Sequence, residues 1–326
     1  MHFGPRFRPQ QQWCHGEMRL TSLALALLAA VEAYKPPAAS TASGCPSAFP
    51  DSEDQRVAEF KRIYGSWPSK IMLPGKKPQQ ETAGWTKYHE KKEESLMEIS
   101  DMQWRWERWL EQVQIRNTVN FTETGWALGA MPRDVHNQVL NHFKVAHKEG
   151  AGGYDEGDVA GYITGRRNMV SMTAVHSLVT HELHKLVGEW SGLGVDGIEP
   201  TSTYGIRVYY KNSTLATHVD RIESHILSVV YCVDAKYPDP AAPVWKMEAD
   251  PDLTGKHATV EVKPGQIFFY ESAKLAHGRP TVLHGDYSAH IFVHYRPKGW
   301  SYTNQDRVYG VPPGWQKASL DRAELR

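Results

Sequence analysis

Three residues in the last third of the chain have the types and spacing of a metal site. His218 and Asp220 belong to the triplet His218-Val219-Asp220, and His277 lies further along the chain. In an extended segment residues i and i+2 point to the same side, so this imidazole and this carboxylate can bind one ion. An imidazole from a facing strand would complete a 2-His-1-carboxylate set, which leaves open positions on one face of an iron(II) ion. Catalytic zinc more usually has three protein ligands and one open position.

An HxD triplet is a weak signal by itself, because the chain contains 16 histidines. The context strengthens it, since the triplet follows a strand-like run and a short polar turn, KNST. Four other histidines compete for the role of second imidazole: His225, His284, His290 and His294. We prefer His277 because it follows a turn, a strand and a loop, which places it at the mouth of a further strand.

Five short runs rich in β-branched and aromatic residues must position these side chains. They are GIRVYY (205–210), HILSVVYCV (225–233), HATVEV (257–262), QIFFYE (266–271) and HIFVHY (290–295). In HATVEV the apolar residues Ala258, Val260 and Val262 alternate with polar ones, as in a strand with one buried face. Several short strands without intervening helices indicate an antiparallel sandwich or jelly roll.

Two amphipathic helices are predicted before the strands. Apolar residues recur every three or four positions between Glu94 and Asn117, and again from about Val175 to Trp190. Gly192 and Gly194 supply the stop of the second helix. The sequence therefore predicts an α+β fold, in which helices buttress a β-barrel-like core.

The composition fits a folded protein with a sizeable core. Of 326 residues, 40% are hydrophobic and 11% aromatic, which excludes wholesale disorder. The 37 basic residues balance the 37 acidic ones, which argues against a general nucleic-acid partner. Three cysteines are too few for a disulfide scaffold, and we expect Cys232, in an apolar run, to be a buried thiol.

Residues 1–33 have the layout of a signal peptide or other targeting segment. Basic residues precede an apolar run, 20–31, that is too short to cross a bilayer, so no stable transmembrane span is expected. We expect the secretory pathway, as the ER or Golgi lumen or secretion, with an uncleaved signal anchor or organelle transit as the alternatives. Residues 34–80 are predicted to be a flexible linker, 81–200 a helical supporting region, 201–300 the core and 301–326 a C-terminal tail.

The run from Tyr204 to about Trp300 resembles the catalytic domain of the iron(II)/2-oxoglutarate-dependent dioxygenases, particularly the prolyl 4-hydroxylase-like branch. Three segments carry the resemblance: RVYYKNSTLATHVD, ILSVVYCVD and VEVKPGQIFFYESAKLAHGRPTVLHGDYSAHIFVHY. The resemblance implies that the core is a double-stranded β-helix, which is a jelly-roll barrel. It also implies that His218, Asp220 and His277 are the iron ligands.

The chain departs from this branch where the co-substrate binds. Members hold the far carboxylate of 2-oxoglutarate with a Lys or Arg on the last strand, at positions that are Asp286 and Tyr287 here. A basic partner suits a carboxylate in a partly dry pocket. Arg279 is the nearest substitute, and Arg207 is another. Three tyrosines are candidates to donate a hydroxyl hydrogen bond: Tyr209, Tyr210 and Tyr287.

By this resemblance the protein is an oxygenase that hydroxylates a C–H bond of a peptidyl proline or a small molecule. The reaction consumes O₂ and decarboxylates 2-oxoglutarate to succinate at an Fe(II) site, with ascorbate as a further candidate reductant. Two alternatives stay open: a barrel that binds metal without catalysis, and a cupin-like metalloenzyme that does not use 2-oxoglutarate. The missing basic residue on the last strand favours these alternatives, whereas the complete His/Asp/His set favours the oxygenase.

Overall fold

The computed structural model describes residues 82–96, 98–148 and 162–300. The helices are α1 (Ala83–Leu96), α2 (Met102–Asn117), α3 (Arg133–Lys148) and α4 (His176–Ser191). The strands are β1 (Trp126–Ala130), β2 (Ile163–Thr164), β3 (Arg167–Val170), β4 (Ile198–Tyr210), β5 (Thr214–His218), β6 (Leu227–Lys236), β7 (Met247–Ala249), β8 (Ala258–Val260), β9 (Gln266–Tyr270), β10 (His277–Arg279) and β11 (Tyr287–Pro297). The predicted targeting segment (1–33), linker (34–80) and C-terminal tail (301–326) lie outside the described residues.

Strands β4–β11 form a jelly-roll barrel made of two antiparallel sheets. The larger sheet has the order β1-β9-β6-β11-β4-β3, and the smaller sheet has the order β2-β5-β10-β7-β8. The first and last strands of the barrel, β4 and β11, are neighbours, and so are β5 and β10. This pairing is that of a double-stranded β-helix, which confirms the predicted fold class.

The central strands of the larger sheet, β6, β9 and β11, are buried on both faces, which explains their nearly continuous apolar residues. Ile291 and Val293 of β11 belong to a core cluster with residues of α3 and α4, whereas Phe292 belongs to the cluster between the two sheets. Strand β6 is buried throughout Leu227–Val233 for the same reason. Cys232 faces the barrel interior as a buried free thiol, as predicted.

The helices buttress the barrel, although they differ from the sequence expectation in two places. Helix α3 was not expected, and one expected helix is interrupted. The single helix expected over Glu94–Asn117 is wrong, because α1 ends at Leu96 and α2 begins at Met102. The side chain of Asp101 caps α2 by accepting a hydrogen bond from the Trp104 backbone N–H at 2.7 Å. Helix α4 matches its prediction and ends before Gly192, which has a φ of 67°.

Residues 81–200 supply strands as well as helices. Strand β1 pairs with β9, β2 with β5 and β3 with β4, so this region extends both sheets of the barrel. Within the described part of the chain, no helix is long and apolar enough to cross a membrane.

Candidate metal centre

Two neighbouring strands bring the three predicted ligands together. His218 is the last residue of β5, His277 is the first residue of β10, and the two residues are paired in the sheet. Asp220 follows in the loop after β5. Its Oδ1 atom lies 3.6 Å from Nε2 of His218 and 3.8 Å from Nε2 of His277. One ligand atom from each residue lies within 4.8 Å of the others, so the three can bind a single ion.

Both imidazoles are oriented by the same local hydrogen bond. Nδ1 of His218 lies 2.8 Å from the carbonyl oxygen of Ala216, and Nδ1 of His277 lies 2.9 Å from that of Leu275. A carbonyl only accepts, so each Nδ1 carries the proton and each Nε2 presents its lone pair towards Asp220. Contacts of this kind fix the tautomer and ring orientation of metal-binding histidines.

Burial and mutual contact set the charge states of the three residues. Burial would raise the pKa of Asp220, but the neighbouring imidazoles, His277 first, lower it well below its usual range. Burial lowers the pKa of His277 to about 4 against the opposing charge of Asp220. Burial also lowers the pKa of His218, but the Asp220 carboxylate outweighs it, so this pKa is raised. Among the described residues, Oδ2 of Asp220 is buried without a hydrogen-bond partner.

The centre opens into a cavity of about 550 Å³. Its walls come from both sheets and from α2, which contributes Glu111 and Gln114. Gln114 is a site residue that the sequence analysis missed, because a polar residue on an amphipathic helix carries no signal of its own. Arg207 also lines the cavity, with its guanidinium carbon 4.8 Å from the ring of Phe292.

None of the four competing histidines joins the cluster of three ligands, although His225 and His294 line the same cavity. His284 is exposed in the loop before β11, and His290 is buried deep in the barrel. His294 stands behind Asp220, with Nδ1 3.7 Å from Oδ2 of the carboxylate. Its ring packs on that of His225 at a centroid distance of 3.8 Å. Of the described histidines, carboxylates and thiols, only the predicted three form a cluster that could hold a metal ion.

Arg279, the expected co-substrate residue, lies two residues after His277 and is only 3% exposed. Its Nη1 atom donates to the carbonyl of Trp245 at 2.7 Å, while Nη2 is buried with no hydrogen-bond partner among the described residues. Burial lowers its pKa, and the groups that oppose this most are the Cys232 thiol and three phenols, not a carboxylate. A buried guanidinium in such surroundings is suited to bind an anion. The described lining of the cavity includes Arg207 but not Arg279.

Two of the candidate tyrosines face away from the barrel interior. Tyr209 is buried inside, and its hydroxyl accepts a hydrogen bond from Nη1 of Arg207 at 3.3 Å. The ring of Tyr287 instead packs against His147 of α3, and its hydroxyl donates to Asp234 at 2.8 Å. Tyr210 also contacts His147 on that side. The geometry therefore does not support the expected contact of Tyr287 with a co-substrate, because alternate residues of β11 face opposite sides.

The chain is similar in fold to several solved structures. No protein-family model matches it, and no curated protein matches it. A prolyl-4-hydroxylase from Pseudomonas putida is 15% identical, with 58% of this chain and 100% of that chain covered and a TM-score of 0.41. A prolyl hydroxylase from Trichoplax adhaerens, in complex with a hypoxia inducible factor peptide fragment, is 11% identical, with coverages of 64% and 96% and a TM-score of 0.43. HygX from Streptomyces hygroscopicus, with nickel and 2-oxoglutarate bound, is 14% identical, with coverages of 56% and 86% and a TM-score of 0.40.

The fold and the side chains together define a jelly-roll barrel with a candidate 2-His-1-carboxylate centre. The strand order gives the barrel, and the convergence of His218, Asp220 and His277 gives the centre.

Proposed function

We propose that this protein is an iron(II)- and 2-oxoglutarate-dependent oxygenase, with His218, Asp220 and His277 as the ligands of the ion. One observation carries the proposal: both imidazoles present Nε2 to the same carboxylate oxygen at the wall of a cavity. This donor set leaves one face of a metal ion open to other molecules. The Oδ2 atom of Asp220 is buried and accepts no hydrogen bond from the described residues, which also fits a cation beside the carboxylate.

When bound, the ion supplies oxidation of a C–H bond by O₂, coupled to decarboxylation of 2-oxoglutarate to succinate. The contribution of the chain is to hold the ligands in place and to limit the access of water. Ala216 and Leu275 fix the imidazoles through their carbonyls. Apolar side chains such as Met247 and Phe292 line the cavity beside the ligands.

The charge inside the barrel supports a dicarboxylate co-substrate. Arg279 has a buried N–H group that lacks a partner among the described residues, and Arg207 faces the cavity. His290 lies opposite Arg207 in the sheet, and its pKa is lowered by burial and then by the charges of both arginines. We propose that the far carboxylate of 2-oxoglutarate binds at this positive end, with Arg279 as its partner and Tyr209 beside it.

The proposed substrate class is a peptidyl proline, which the sequence resemblance implies, and a small molecule is the alternative. A specific observation also favours a different function. Strand β11 places Ser288, His290 and Phe292 inside the barrel, and its one basic residue, Arg296, pairs with Glu199 instead, unlike in the resembled branch. A metal-binding barrel that does not use 2-oxoglutarate is therefore the second candidate.

The test is an anaerobic titration of the purified protein with Fe(II) and then with 2-oxoglutarate, followed by visible absorption. We expect a weak charge-transfer band for the wild type and no band for His218→Ala. The matched control is His284→Ala, because His284 is exposed and does not line the cavity. Tight Fe(II) binding without a band would favour the second candidate. Equal Fe(II) binding by the wild type and His218→Ala would contradict the metal site itself.

A further inference from the structure

Helix α2 reaches the candidate metal centre through one buried side chain, that of Gln114. Its Nε2 atom donates to the backbone carbonyls of Asp220, at 2.6 Å, and Ala273, at 2.9 Å. The two carbonyl acceptors define the orientation of the amide, because only its NH₂ group can donate to both. Gln114 is 1% exposed and lines the cavity.

The two acceptors belong to the two loops that carry metal ligands. Asp220 is itself a proposed ligand, and Ala273 lies in the loop between β9 and β10 that leads to His277. The loops also meet directly, since the Asp220 amide donates to the Ser272 carbonyl at 2.8 Å. The Ser272 hydroxyl also donates to the His225 carbonyl at 2.8 Å, so two hydrogen bonds join the loops directly. Gln114 adds one hydrogen bond from α2 to each loop.

An apolar contact supports the same segment. Val219, between His218 and Asp220, packs against a buried cluster drawn from α1, α2, the loop between β7 and β8 and the loop between β9 and β10. Members of that cluster are Trp85, Ile115, Leu253 and Leu275. The helices therefore contact the ligand-bearing loop through Val219 as well as through the Asp220 carbonyl.

We propose that Gln114 is a positioning residue for the metal centre. Its hydrogen bonds join the loops of Asp220 and His277 to α2 and so set the spacing between these two ligands. The inference rests on the proposed function, because it presupposes that an ion binds there. Gln114 does not need to touch the ion. Residues that orient metal ligands in this way typically contribute a factor of about 10 to 100 in metal affinity.

The test compares Gln114→Glu with Gln112→Glu on the same helix. In Gln114→Glu a carboxylate oxygen would face two carbonyl oxygens, so the tie is lost without a change of size. Gln112 is also buried, but its Oε1 atom contacts Nδ1 of His89 at 3.0 Å, and a glutamate keeps that acceptor. Gln114→Met, which also lacks the amide but adds no charge, is the second variant if the glutamate variant does not fold.

The readout is the dissociation constant for Co²⁺ and the ligand-field absorption of the bound ion, with thermal unfolding measured in parallel. We expect the Gln114 variants to bind Co²⁺ about 10- to 100-fold more weakly with an altered spectrum, and Gln112→Glu to match the wild type. An unchanged dissociation constant and spectrum in a folded Gln114 variant would overturn the positioning role. An equal loss in both positions, in step with the melting temperature, would also overturn it, since general destabilisation would explain it. Failure of the wild type to bind, or equal binding by His218→Ala, would instead refute the proposed function.

Discussion

At the scale of single residues, the two histidines use the same local arrangement. Each Nδ1 lies near the carbonyl two residues earlier in the chain, that of Ala216 for His218 and that of Leu275 for His277. These contacts use only neighbouring backbone, so the imidazole orientation does not depend on the ion. A site whose ligands are already oriented loses less entropy when the ion binds.

The buried guanidinium of Arg279 is the proposed partner of the far carboxylate of 2-oxoglutarate. We expect Arg279→Met to raise the dissociation constant for 2-oxoglutarate about 10- to 100-fold, because a hydrogen-bonded charge partner is lost. Metal affinity should not change, since Arg279 is not a ligand. The measurement is the titration of the charge-transfer band with 2-oxoglutarate in the Fe(II)-loaded protein.

Arg296→Met is the control for this prediction, because Arg296 pairs with Glu199 and is 39% exposed in its side chain. An unaltered affinity for 2-oxoglutarate in Arg279→Met would contradict the proposed role. Arg207→Met would then test whether the guanidinium that lines the cavity binds 2-oxoglutarate instead.

The sequence predicts the residues of the site only as far as their chemistry shows in a short pattern. The HxD spacing and the strand context were enough to select His218, Asp220 and His277, which the structure brings together. The sequence suggests Tyr287 only through its distance along the chain from His277, whereas the register of β11 directs its ring towards α3. Gln114 could not be found, because its contacts depend on how a helix packs on loops far along the chain.

At the scale of elements, the pairing of β5 with β10 decides the distance between the two imidazoles. Gly278 lies in β10 between His277 and Arg279. A Cβ atom there would come within 2.9 Å of the Leu215 carbonyl oxygen and the Thr217 Cα atom of β5. Only glycine therefore permits this close approach of the two strands.

We predict that Gly278→Ala weakens metal binding at least about 10-fold, because β10 must move away from β5 and take His277 with it. The measurement is Co²⁺ titration. Gly129→Ala is the control, since its Cβ would meet the Phe269 side chain at 2.7 Å in a strand pair away from the ligands. A Gly278→Ala protein with wild-type metal affinity would show that the strand spacing is not limiting.

Element length did not decide how well the sequence predicted an element, since the 16-residue helix α3 was not expected and only residues 205–210 of β4 were. Helix α4 and the strands β6, β9 and β11 contain several turns or alternations of apolar residues, so their patterns are clear. Strand β10 has three residues, and its pairing with β5 and β7 defines it as a strand. The break between α1 and α2 was missed because apolar residues continue at helical spacing across it, while the Asp101 cap is a local signal.

At the scale of the whole molecule, buried histidines make stability depend on pH. Burial lowers the pKa of His277 to about 4 and that of His294 to about 3, from 6.5. The unfolded chain binds protons at these residues that the folded chain does not, so the free energy of unfolding falls as pH is lowered from 6.5 towards 4. Over this range, each unit by which the pH falls lowers the free energy of unfolding by about 1.4 kcal/mol per such histidine. The raised pKa of His218 acts in the opposite direction, with a contribution that is lost as pH rises.

We predict that the urea midpoint of the metal-free protein decreases steadily from pH 6.5 to pH 4.5, as these lowered pKa values require. The measurement is a set of urea titrations across this range with a chelator present. A His294→Gln variant should show a shallower decrease, because one of the lowered histidine pKa values is removed. A midpoint independent of pH would contradict the lowered pKa values.

The two hydrogen bonds of the Gln114 side chain have a consequence for the order of folding. The glutamine is separated from its two acceptors by 106 and 159 residues of chain. Contacts across such separations form late, because the entropy of closing a long loop is lost before the contact is gained. We therefore expect the barrel to assemble first and the ion to enter afterwards, so that removing the ion leaves a folded chain ready to bind it again.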